Sequence, residues 1–280
     1  MLRKSAERYA NGAFRPIGLG AYACPMIDTL SLLLSEAGRE ALGYFDTLRQ
    51  RAVEAKAPED LVSDADHAVE VTLRRILVRH FPGDGILGEE MGGTAEGRFW
   101  AVDPIDGTTN FLSGLPFWTI SLGLIDKGEP VAGAVIAPAL GIMAVGLASG
   151  PLQVTGLSPG SQASDPRCIG IGRNARWAAT DRHAVEAAIE ASSHAPRLFG
   201  SCALSLMLVA TGRLAGYIEP RVGGLWDCAG GLALCRAAGL PTAFTAHPDG
   251  TVDVLAGDVF DILEGVDWVA NLRAQLPASS

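Results

Sequence analysis

Trp100-Ala-Val-Asp103-Pro-Ile-Asp106-Gly-Thr-Thr-Asn110-Phe111 is the stretch from which the rest of the chain is read. An apolar strand ends at Asp103, and Pro104 removes an N–H and fixes the turn. A second carboxylate follows at Asp106, ahead of a Gly-Thr-Thr run suited to opening a helix. Two carboxylates on one tight turn repel each other unless a cation lies between them, and ordinary capping needs only one. The N–H groups of Gly107 and Thr108 stand at the start of the helix, where backbone donors and the dipole favour an anion. One turn therefore offers oxygen ligands for a hard metal and, beside them, a cradle for phosphate.

Upstream of this turn the pattern predicts two amphipathic helices, over 27–56 and 65–80, separated by a turn containing Pro58. Strands are expected at 85–88, 99–103 and 117–126, and a hairpin at 131–136 and 142–147. Glycine, proline and serine cluster over 150–160 and mark a crossing between two halves. Beyond it, short apolar runs at 168–172, 197–199, 215–218 and 252–256 alternate with helical patterns at 181–193, 202–211, 226–238 and 259–272, which reads as α/β layering. The expected organisation is an extension over 1–25, an α+β half over 26–150 and an α/β half over 151–280.

The 280 residues are 48% hydrophobic, enough for a substantial core, so a disordered chain is excluded. With 22 Lys+Arg against 31 Asp+Glu, the net charge of −9 also argues against a nucleic-acid binder, which needs a basic face. Cys24, Cys168, Cys202, Cys228 and Cys235 form no C-x-x-C pair and read as reduced thiols of a cytoplasmic protein. The histidines show no metal-ligand spacing. Arg3, Lys4, Arg8 and Arg15 are followed by no apolar core of signal-peptide length. Residues 131–149 carry no charge, but Pro138 and Gly141 divide them into two β-type runs, so a buried hairpin is expected and no membrane span.

Further acids fall where a layered fold can bring them to the turn. Glu89 and Glu90 follow Gly88 at the end of a strand. Asp64 and Asp66 begin the second helix, and Asp227, after Leu225-Trp226, is placed to cap the helix that follows it. Taken singly, these residues read as helix caps or loop acids as readily as site residues.

Together they resemble a known family. Asp103 to Phe111 is similar to the signature of the inositol monophosphatase family of magnesium-dependent, lithium-sensitive sugar phosphatases. Gly88-Glu89-Glu90 and Trp226-Asp227-x-Ala-Gly230 resemble its companion motifs, and Asp60-Leu-Val-Ser-Asp-Ala-Asp66-x-x-x-Glu70 its amino-terminal motif; the four stand in the family's order. The resemblance implies an alternating α-β-α-β-α sandwich, a homodimer, and a metal site in the 26–150 half that the 151–280 half completes. It implies that Glu89, Asp103 and the Ile105 carbonyl hold one magnesium, that Asp103, Asp106 and Asp227 hold a second, and that a weaker third lies near Glu89. Thr108 with Asp66 would orient and deprotonate the attacking water, and the backbone of Gly107 and Thr108 would receive phosphate. Ser201, Cys202, Glu219 and Asp227 match positions that contact the leaving alcohol. The spacing from Glu219 to Asp227 is one residue longer than in the family pattern, which makes Arg221 an alternative neighbour. Arg197, Phe199, Arg221 and Trp226 are further candidates to face the leaving group.

The implied activity is hydrolysis of a small phosphorylated polyol or metabolite by direct attack of metal-activated water. Inositol 1-phosphate is favoured; histidinol phosphate, fructose 1,6-bisphosphate and 3′-phosphoadenosine compounds are the alternatives. A non-catalytic regulator is a different class of reading, opposed by the completeness of the acidic set. Gly156-Leu-Ser158-Pro-Gly160 mimics a hydrolase nucleophile elbow, but Pro159 lacks the N–H that an oxyanion hole needs. Gly170-Ile-Gly172-Arg-Asn-Ala175 mimics a dinucleotide fingerprint, without a clear helix close behind it.

Overall fold

The computed structural model describes residues 25–50, 58–157, 166–263 and 269. The expected extension over 1–25 lies outside these apart from Pro25, as do most of the Gly156–Gly160 motif and the end of the last predicted helix.

Helix α1 (Pro25–Gln50) buries Ile27, Leu30, Leu34, Ala37, Ala41 and Phe45, the apolar stripe that its periodicity predicts. Helix α2 (Pro58–His80) starts earlier than the sequence suggests. Pro58 opens it, because proline's missing N–H is no loss in a first turn, and so Asp64 and Asp66 lie inside the helix and do not cap it.

The first sheet has seven strands in the order β2-β1-β3-β4-β5-β6-β7. They are β1 (Gly85–Gly88), β2 (Gly92–Gly93), β3 (Phe99–Asp106), β4 (Thr119–Asp126), β5 (Glu129–Ala137), β6 (Ile142–Leu147) and β7 (Leu152–Thr155). Only β1 and β3 pair in parallel; the rest is antiparallel. The uncharged stretch forms the expected hairpin, with Ala137 opposite Ile142 across the β5–β6 turn. Strand β3 continues three residues past its predicted end: its register against β4 shifts between Asp103 and Asp106, and that irregularity accommodates Pro104 within a paired strand. The short helix α3 (Thr108–Leu112) follows at once.

The second sheet orders as β11-β12-β10-β8-β9, built from β8 (Cys168–Ile171), β9 (Ala195–Arg197), β10 (Gly216–Val222), β11 (Thr242–Ala246) and β12 (Val252–Gly257). Three longer helices and a short one accompany it: α4 (Ala179–Ala191), α5 (Cys202–Ala210), α6 (Leu225–Ala237) and α7 (Val259–Ile262).

Among the described residues, three larger apolar cores separate the layers. One joins α1 and α2 to the first sheet, a second joins α5 and α6 to both sheets, and a third lies beneath α4 and α7 on the far face of the second sheet. The result is the α-β-α-β-α sandwich. The middle layer is tightly seated: a Cβ added to Gly133 of β5 would lie 2.1 Å from the carbonyl oxygen of Gly230 in α6. That close approach seats α6 directly against β5.

Candidate metal and phosphate site

Asp103 and Asp106 project from the end of β3, and Asp227 from the first turn of α6. Their carboxylate oxygens lie within 4.8 Å of one another. Asp103 is fully buried, and neither of its carboxylate oxygens has a hydrogen-bond partner. A buried acid without donors costs several kcal/mol unless it is neutralised or bound to a cation. Burial pushes its proton affinity well above the usual carboxylate range, and Glu89, Asp106, Asp227 and Asp66 push it further.

Asp106 is held differently. Its Oδ2 accepts from the Ser201 hydroxyl at 2.5 Å, the Ala203 N–H at 2.7 Å and the Thr119 hydroxyl at 3.2 Å, and its Oδ1 accepts from the Cys202 N–H at 3.3 Å. The carboxylate therefore sits on the N-terminus of α5, whose N-cap is Ser201. Burial raises its proton affinity and these donors oppose the rise.

Asp227 is not the N-cap of α6. Gly224 holds that position, and Asp227, three residues on, accepts the Gly224 N–H at 2.7 Å in the manner of a capping-box acid. One of its oxygens thus braces the helix while the side chain stays in the cluster. Burial, then Asp106 and Glu89, hold its proton affinity well above normal.

Glu89 is exposed as a residue, but its carboxyl is shielded beside Asp103, and that loss of water is the first cause of a pKa raised to about 7. Asp66, on α2, is buried, and burial followed by Glu90, Glu89 and Glu70 raises its pKa to about 8. Among the described residues the close-set group that could hold a metal comprises the three aspartates alone; Glu89 and Asp66 stand outside it and act on Asp103 as neighbouring like charges.

Gly107 takes φ 97°, and a Cβ there would meet the Phe117 carbonyl oxygen at 2.9 Å. This conformation turns the chain from β3 into α3, and Thr108 donates its hydroxyl to the Ile105 carbonyl at 3.2 Å. Asn110 ties the turn down by donating to the carbonyls of Phe117 and Phe199, each at 2.7 Å.

The residues expected at the leaving alcohol divide. The Ser201 hydroxyl is committed to Asp106 and to the Leu204 N–H, which it accepts at 3.1 Å. Cys202 is buried, and burial keeps its thiol protonated and inert. Glu219 is held on β10 by a short hydrogen bond from the Tyr217 hydroxyl and by Asn174 at 3.0 Å. Between Glu219 and Asp227 the register of β10 against β12 shifts at Glu219–Val222, with Arg221 in the left-handed region at φ 58°. The Arg221 guanidinium pairs with Asp249 at 2.9 Å, and Arg197 donates to the Pro196 carbonyl. Trp226 packs against the apolar cluster around Phe99 and Ala101. Phe199 stacks edge-on with Phe117, their centroids 6.0 Å apart.

Sequence reasoning missed Thr119, Asn174 and Tyr217. Tyr217 had a signal, since it lies two residues from Glu219 on the same strand face. Asn174 sits in the stretch that mimics a dinucleotide fingerprint. That mimicry fails structurally, because a Cβ on Gly172 would lie 2.0 Å from the Glu219 carboxyl carbon, so the space beside this glycine is already filled.

The model of the inositol monophosphatase family matches residues 24–277. The chain belongs to the inositol monophosphatase family. It is 32% identical to the inositol-1-monophosphatase of Mesorhizobium japonicum over 79% of this chain and 84% of that protein. Over a shorter stretch, 28% of this chain and 31% of the relative, it is 56% identical to the histidinol-phosphatase of Mycobacterium tuberculosis. Among solved structures, Mycobacterium tuberculosis SuhB superposes with a TM-score of 0.70 at 28% identity, covering 87% of this chain and 97% of that one. Membership makes the chain a phosphoric monoester hydrolase of a metal-dependent family. The orphaned Asp103 carboxylate and the all-oxygen donor set fit a hard divalent cation.

Proposed function

We propose that this chain is a Mg²⁺-dependent phosphatase of a small phosphorylated polyol, with inositol 1-phosphate as the favoured substrate. The observation that carries the reading is the fully buried Asp103 carboxylate, unpartnered on both oxygens and within 4.8 Å of oxygens of Asp106 and Asp227. Asp103, Asp106 and Asp227 would hold one Mg²⁺, Glu89, Asp103 and the Ile105 carbonyl another, with a third near Glu89. Bound Mg²⁺ supplies charge neutralisation for the phosphate and acidifies water.

The chain's own residues do the rest. The backbone N–H groups of Gly107 and Thr108 receive phosphate oxygens at the turn. Thr108 and Asp66 orient the attacking water and take its proton, a role for which Asp66 is suited once cations offset the neighbouring carboxylates. Glu219, braced by Tyr217 and Asn174, accepts a hydroxyl of the leaving alcohol beside Asp227. The 26–150 half supplies Asp66, Glu89, Asp103 and Asp106; the 151–280 half supplies Ser201, Glu219 and Asp227. We expect a homodimer, lithium inhibition and a cytoplasmic location, the last supported by four free cysteines among the described residues. Among those residues no helix is long and apolar enough to cross a membrane.

Histidinol phosphate is the second reading, favoured by the 56% identity to a histidinol-phosphatase over a limited stretch. A panel of inositol 1-phosphate, histidinol phosphate, fructose 1,6-bisphosphate and 3′-phosphoadenosine 5′-phosphate, scored by kcat/KM with Mg²⁺ and then with Li⁺, decides between them. Asp106→Asn should abolish phosphate release from every substrate while the protein stays folded. A variant with near wild-type turnover would overturn the assignment.

A further inference from the structure

Glu70 holds no metal and touches no substrate in the reading above, where its charge adds to the rise at Asp66, yet it is fully buried. It lies one turn beyond Asp66 on α2, and Arg74 lies one turn beyond Glu70, so the three share a face of the helix. The Glu70 carboxylate accepts from Arg74 Nε at 2.7 Å, from the Glu90 N–H at 3.0 Å and from the Met91 N–H at 3.3 Å. Arg74 also donates to the Gly92 carbonyl through a short hydrogen bond. Gly88 is what lets the carboxylate in, because a Cβ there would lie 1.9 Å from Glu70 Oε1. The turn from β1 to β2 is thus fastened to α2 at Glu90, Met91 and Gly92.

Glu89 sits at the start of this fastened turn. Its own N–H donates to the Val102 carbonyl at 3.1 Å, next to Asp103 on β3. Its backbone is therefore pinned to β3 on one side and, through the next two N–H groups, to Glu70 on the other. An exposed two-strand turn has little else to hold it, since β2 is two residues long. Charge-assisted hydrogen bonds of this kind are the strong ones.

We propose that Glu70 and Arg74 are positioning residues that fix the direction of Glu89, and thereby set the affinity of the metal position containing Glu89, without touching metal or substrate. The proposal rests on the functional reading above. It separates the two main metal positions, because Asp106 and Asp227 are braced by Ser201, Ala203 and Gly224 and owe nothing to this clamp.

The test is a calorimetric titration of the metal-free full-length chain with Mg²⁺, and in parallel with Mn²⁺, in the absence of substrate, for wild type, Glu70→Gln, Arg74→Met and Arg74→Lys. Loss of a partner that orients a ligand weakens metal binding by about 10–100-fold. We expect that loss in one class of site for Glu70→Gln and Arg74→Met, an unchanged second class, and partial recovery in Arg74→Lys. The Mg²⁺ concentration for half-maximal phosphate release should rise in step, while kcat at saturating Mg²⁺ stays within a few-fold of wild type. Folded variants with wild-type isotherms would overturn the proposal, as would equal weakening of both classes or a wild-type chain with a single class. Phosphate release that persists without any divalent ion would instead overturn the functional reading.

Discussion

Ser201 donates its hydroxyl to Asp106 at 2.5 Å while accepting the Leu204 N–H at 3.1 Å, so one side chain caps a helix and fastens a site carboxylate. Ser201→Ala removes both interactions and leaves Asp106 buried with one donor fewer. The expected loss is about 1–2 kcal/mol of stability, measured by urea unfolding of the metal-free chain. Ser201→Thr retains the oxygen and should restore most of it.

Asp103→Asn should behave in the opposite way. The wild-type carboxylate is buried without a donor among like charges. Replacing it with a neutral isostere removes that repulsion, so the melting temperature in chelator should rise, by about 2–4 °C for each kcal/mol gained. The same variant should lose the stabilisation that wild type gains on adding Mg²⁺. Thermal unfolding with chelator and with Mg²⁺ checks both halves.

The acidic cluster sets a pH dependence for the metal-free protein. Asp66 and Glu89 are raised in the folded chain to about 8 and about 7, from ordinary values of 3.8 and 4.5. Between those limits the folded state binds more protons than the unfolded state, so stability falls as pH rises. It should be greatest near pH 4 and lowest above pH 8, with the decline concentrated between them. Saturating Mg²⁺ should flatten or reverse the slope, as denaturant midpoints across that range will show.

Gly107→Ala places a side chain at φ 97°, with its Cβ 2.9 Å from the Phe117 carbonyl oxygen. The backbone strain alone costs about 1–2 kcal/mol, and relief requires the turn carrying Thr108 to shift. Phosphate release should fall more steeply than stability does. Steady-state kinetics beside an unfolding curve separate the two effects.

The fold and the acidic turn were legible because their signals are local. Asp103 and Asp106 share one turn, the stripe from Ile27 to Phe45 has a helical period, and Pro138 with Gly141 divides an uncharged run into a hairpin. What escaped depends on pairs far apart in the chain. Nothing near Ser201 announces that its hydroxyl will meet Asp106, and nothing near Asn174 points to Glu219. The β10 register shift with Arg221 at φ 58° likewise depends on pairing with β12, which is distant in the chain. Asp227 was placed three residues from its true cap, because the capping residue is a glycine, which carries no side-chain signal.

Helix α6 lies between the two sheets, with every residue from Cys228 to Cys235 buried, and its contact with Gly133 leaves no slack. Asp227, at its first turn, is presented to Asp103 and Asp106 by a helix whose backbone is packed in this way. The three carboxylates proposed to hold the cation would therefore be placed by helix and strand packing and not by the ion itself. On the proposed reading, ion entry would then depend on how fast Mg²⁺ sheds its tightly held water, and exchange of one cation for another would be governed by hydration kinetics more than by movement of α6.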